Sequence, residues 1–81
     1  MNEILKFKGR LAEKELEGKK LRLRIEGLRN SIRELLDPFE GVVDLNCEVV
    51  AEQALEMASL QVDLKAVLGE IGAIKKALGK G

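Results

Sequence analysis

The chain has 81 residues, of which 35% are charged, yet its 14 Lys and Arg balance its 14 Asp and Glu. It has no His, Trp or Tyr, one Cys, one Pro and two Phe. These counts exclude a His-based acid–base or metal site and a Ser-His-Asp triad. They also exclude a disulfide framework within one chain, and leave only Phe7 and Phe39 for the aromatic stacking that single-stranded nucleic-acid platforms usually use. No cofactor is expected.

Leu, Ile and Val number 14, 5 and 6. Abundant aliphatics beside abundant charge is the composition of long helices and coiled coils, not of disordered chains. No apolar run is long enough to span a bilayer, and the N-terminal residues have no apolar signal region. A cytoplasmic protein is expected. The neutral total is uneven along the chain: residues 1–36 carry +4, residues 37–72 carry −7 and residues 73–81 carry +3. A basic half followed by an acidic half suits two elements that attract each other.

The spacing predicts a first helix over about 2–36. Residues seven apart from Ile4 are Ile4, Leu11, Gly18, Ile25 and Ile32, and from Phe7 they are Phe7, Lys14, Leu21, Leu28 and Leu35. The heptad seam is apolar at both ends and is expected to fail at Lys14 and Gly18, leaving a weak or bent stretch there. Asp37-Pro38-Phe39-Glu40-Gly41 ends the helix, because Pro cannot continue it and Asp and Gly favour turns. Asp37 with Glu40 also has capping-box spacing, so a second helix starting at Pro38 is one option. The preferred reading is an irregular connection over about 37–45. Asp44 or Asn46 then caps the second helix, and Leu45 and Val50 staple its entry.

The second helix is expected over about 46–78. Val43, Val50, Met57, Leu64, Ile71 and Leu78 form one heptad column, and Asn46, Gln53, Leu60, Val67 and Ile74 form the other. Ala51, Ala54, Leu55, Ala58, Val62, Ala66, Gly69, Gly72, Ala73 and Ala77 lie outside the seam and make a second apolar surface. A helix apolar over most of its circumference is buried on several sides.

The fold class read from these patterns is all-α: an antiparallel, coiled-coil-like two-helix hairpin forming a single domain over 1–81. Chains this small need staples, metal or oligomerisation, and the first two are missing. The expectation is therefore a homo-oligomer, with two hairpins pairing into a four-helix bundle and the second helices inside. Trimers and tetramers remain alternatives. The expected interface comprises Val50, Met57, Leu60, Leu64, Val67, Ile71, Ile74 and Leu78 of the seam, with Ala51, Ala54, Leu55, Ala58 and Val62 of the second surface. Across the hairpin, Arg24 is expected opposite Glu56, Arg10 opposite Glu70, and Glu17 opposite Asp63.

The basic residues Lys19, Lys20, Arg22, Arg24, Arg29 and Arg33 are candidates for contacting phosphates, which needs no sequence motif. Interleaved glutamates favour a solvated face that complements the acidic helix. Cys47 is expected to be a half-buried apolar filler, and Met57 core packing. The lysines of the tail over 69–81 complement a helix C-terminus better than they indicate membrane binding, and Gly79 is a natural terminator. Glu48, Glu52 and Glu56 have i,i+4 spacing but no His to complete a di-metal site.

In size and hairpin form the chain resembles type III secretion needle subunits, although the paired prolines of their turn are reduced here to Pro38. It lacks the Trp of WXG-type hairpins and is similar in style to small prophage-encoded helical proteins. The expected function is a non-enzymatic structural or adaptor module that binds itself and an unidentified protein partner. The alternative is a nucleic-acid-associated accessory protein using the basic first helix.

Overall fold

A computed structural model describes residues 2–79. Among them are two helices, α1 (Glu3–Leu35) and α2 (Cys47–Ala77), packed side by side as a hairpin. The rod measures 62 × 19 × 14 Å. Met1, Lys80 and Gly81 lie outside the described residues, so the last lysine of the tail is not placed.

Each helix begins on an asparagine. Asn2 Oδ1 accepts a hydrogen bond from Ile4 N at 3.0 Å, and Asn46 Oδ1 accepts one from Val49 N at 3.5 Å. Both satisfy amides that the first helical turn leaves without partners. Leu45 and Val50 occupy the staple positions beside the Asn46 cap, and both are half-buried. α1 stops where Pro38 follows: Asp37 turns back, its Oδ1 accepting from Phe39 N at 2.9 Å. The start at Pro38 is therefore not used, and the connection holds two turns instead. α2 ends at Ala77, just past Lys75 and Lys76, with Leu78 as its cap, and Gly79 follows at a φ of +74°, open to glycine at little cost.

The packing seam is continuous, which corrects the expected defect at Lys14 and Gly18. On α1, Phe7, Leu11, Lys14, Gly18, Leu21, Ile25, Leu28, Ile32 and Leu35 are all at least half-buried. On α2 the same holds for Val50, Gln53, Met57, Leu60, Leu64, Val67, Ile71 and Ile74, and for its cap Leu78. Both sets alternate steps of three and four, the signature of a heptad seam. α1 runs unbroken through Gly18, and Gly18 is its most buried residue. A Cβ there would stand 3.7 Å from Val67 Cγ1 and 3.9 Å from Leu64 Cδ1. Both distances are ordinary van der Waals contact, so the position has space for a methyl group and no more before Val67 and Leu64 are met.

Three further expectations change. Val43 and Asn46 extend the α2 heptad columns in sequence, but Val43 is 92% exposed in the connection and Asn46 is the cap. Cys47 is exposed, because the first residue of α2 lies off the seam. Arg10 does not meet Glu70; it lies 6.0 Å over the Phe7 ring, and Lys14 takes Glu70. The deepest layer consists of Leu60, Val67 and Ile74, the three buried apolar side chains among the described residues.

Candidate interaction surfaces

The hairpin distributes its charge by heptad position. The acids of α2 nearest the seam, Glu56, Asp63 and Glu70, repeat every seven residues along one flank. Arg24 Nη2 lies 2.7 Å from Glu56 Oε2, and Lys14 Nζ lies 2.8 Å from Glu70 Oε2. Lys14 also lies 3.4 Å from Glu17 Oε2, one turn along its own helix. The hydrogen bond to Glu70 raises the pKa of Lys14 above its ordinary value of 10.5, and the Glu17 charge adds to this. The lysine stem covers the seam while its ammonium reaches the flank, which reconciles a charge with a seam position.

The six basic candidates are all exposed but are not gathered on one face. Arg24 faces the acidic flank and is paired with Glu56. Arg22 and Arg29 stand on the other flank, around a shallow groove with Ile25, Glu26 and Leu64. Lys19, Lys20 and Arg33 lie further round α1.

The interface candidates fall into two sets. The eight seam residues, Val50 to Leu78, face α1 within the same chain. Of the second set, Ala51, Leu55 and Val62 lie away from the seam, Leu55 and Val62 being 73% and 68% exposed, while Ala54 and Ala58 are exposed at the edge of α1. Ala54 and Ala58 border an apolar groove of about 240 Å³ between the helices, together with Ile25, Ile32, Met57 and Gln61. The heptad column already placed Gln53 in the seam without showing its burial, and the apolar turn was missed. Gln53 Oε1 is buried without a hydrogen-bond partner among the described residues. Phe39, 95% exposed, projects from the turn with Val42 and Val43. A seam position on Gln53 and three apolar residues beside Pro38 were the available signals.

Among the described residues, no three His, Cys, Asp or Glu side chains are grouped to hold a metal ion. No helix there is long and apolar enough to cross a membrane. Among the described residues the fold is a two-helix hairpin whose second helix leaves Leu55 and Val62 exposed. No family model, curated protein or solved structure matches the chain.

Proposed function

We propose that this protein is a non-enzymatic, homo-oligomeric helical hairpin that serves as a structural or adaptor module. The observation that carries the reading is the exposed apolar side of α2, with Leu55 and Val62 open to solvent above a row of alanines. A single hairpin buries only three apolar side chains among its described residues, a thin core for a chain of this length. Association would remove the outer apolar surface from water and supply the missing burial. A four-helix assembly with α2 inside and the charged α1 outside follows from that asymmetry. The turn, with Phe39, Val42 and Val43, would be offered to a protein partner at the rod end. Sedimentation equilibrium at micromolar concentration is expected to give twice the 8.9 kDa of one chain or a higher multiple. A folded monomer under those conditions overturns the reading.

Nucleic-acid association is the second reading. It is supported by Arg22 and Arg29, exposed on one flank and in no ion pair among the described residues. Charge reversal of both would abolish salt-sensitive retention on duplex DNA with helicity intact. Retention that is absent at low salt, or unchanged by the reversal, removes this reading.

A further inference from the structure

The geometry points to a second copy of this chain as the occupant of the outer face of α2, docked antiparallel about a two-fold axis between Ala58 and Ser59. This inference rests on the homo-oligomer reading and adds its face, orientation and register.

Leu55 and Val62 are seven residues apart and stand on the side of α2 directed away from the seam with α1. Along that side, from residue 51 to residue 73, only two side chains carry charge, Glu52 and Lys65. They have opposite signs. The midpoint between Glu52 and Lys65 falls between Ala58 and Ser59, and so does the midpoint between Leu55 and Val62. One two-fold axis there, perpendicular to the helix, brings Glu52 level with Lys65 of the second copy and Leu55 level with Val62 of the second copy. Each pairing occurs twice, as an isologous contact requires. At the axis itself the facing residues are Ala58 and Ser59, small enough for two helix axes to approach to about 8–10 Å.

The charges also choose the orientation. A parallel pair, with the two-fold axis along the rod, would set Lys65 against Lys65 of the second copy and Glu52 against its own equivalent. Like charges facing across an interface disfavour that arrangement. Within one chain Glu52 and Lys65 are about 20 Å apart along the helix, so neither neutralises the other. The acids on the nearer flank are partly engaged already, Glu56 with Arg24 and Glu70 with Lys14. Glu52 and Lys65 have no ion-pair partner among the described residues.

Charge exchange in the full chain tests the register. E52K and K65E are each expected to raise the dimer dissociation constant roughly tenfold, since each replaces two ion pairs by two repulsions. The double variant E52K/K65E is expected to return to within about twofold of the parent. Helicity by circular dichroism checks that each variant folds. Oxidative cross-linking tests the orientation: S59C in a C47S background is expected to form a covalent dimer. Cys47 of the parent protein, about 35 Å from its equivalent in this arrangement, is expected not to. A dimeric parent whose affinity is insensitive to E52K and K65E, or whose Cys47 cross-links readily, overturns this register while leaving the homo-oligomer reading standing. A monomeric parent overturns both.

Discussion

Gly18 of α1 lies against Val67 of α2, so closely that a Cβ on the glycine would be 3.7 Å from Val67 Cγ1. That distance is ordinary van der Waals contact. An alanine therefore fits, and it removes the helix-propensity deficit of an interior glycine. G18A is expected to stabilise the hairpin by about 1 kcal/mol. G18L, which overfills the same space, is expected to destabilise it by about 1–3 kcal/mol. Thermal unfolding by circular dichroism at fixed protein concentration separates the two, and a G18A variant that melts below the parent contradicts this account.

Gln53 occupies a seam position with its Oε1 buried and unpartnered among the described residues. Leucine has similar volume and no polar atoms to satisfy. Q53L is expected to raise stability by about 1–2 kcal/mol in urea titration, because an orphaned buried acceptor is removed. If Gln53 also restricts the alternatives open to the seam, the same variant will populate higher oligomers, as seen by light scattering.

The Lys14–Glu70 pair, 2.8 Å apart, gives stability a predictable pH dependence. The folded state holds the Lys14 pKa above 10.5, so the protonated lysine favours folding. This contribution is fully present below the unfolded pKa and fades as pH rises through the raised folded value. Compared with E70Q, the parent is expected to melt higher at neutral pH, with the gap closing as pH rises beyond 10.5. A gap that widens with alkalinity would have the wrong sign for this pair.

Burial ranks the aliphatic side chains. Leu60 lies in the buried layer with Val67 and Ile74, whereas Leu23 is exposed on the outer side of α1. L60A is expected to cost about 2–4 kcal/mol and L23A less than about 0.5 kcal/mol. Chemical denaturation of both variants checks the contrast, and equal losses would place Leu23 in an interface.

The Arg24–Glu56 pair, at 2.7 Å, is half-exposed on both sides. Its coupling in a double-mutant cycle of R24A and E56A is expected to be about 0.2–1 kcal/mol. Its value lies in fixing which flanks meet.

Much of the hairpin is legible in the residues. Pro38 stops α1, Asn46 caps α2, and the heptad columns from Leu11 and from Val50 specify which faces meet. Arg24 and Glu56 sit at positions that an antiparallel arrangement brings together. These features are local, fixed by backbone chemistry and by a repeat that any helix displays at 3.6 residues per turn.

Other features depend on the two helices being in place. Gly18 reads as a defect in a single helix, and only the partner helix shows that it is a buried seam position packed against Val67 and Leu64. Lys14 reads as a break in the seam, but its long stem lets it stay there while its ammonium reaches Glu70, leaving Arg10 to Phe7. Val43 continues a column in sequence yet lies outside α2, because the connection uses it before Asn46 begins the helix. The outer side of α2 carries its alternation of Glu52, Leu55, Val62 and Lys65 in the sequence. Tertiary packing decided that this side is left exposed, since α1 can cover only one stripe of its neighbour. The sequence by itself therefore determined two amphipathic helices and the turn that folds one back on the other. The tertiary structure decided their register and which apolar face remained uncovered, because both depend on how side chains of unequal length fill the space between two particular helices.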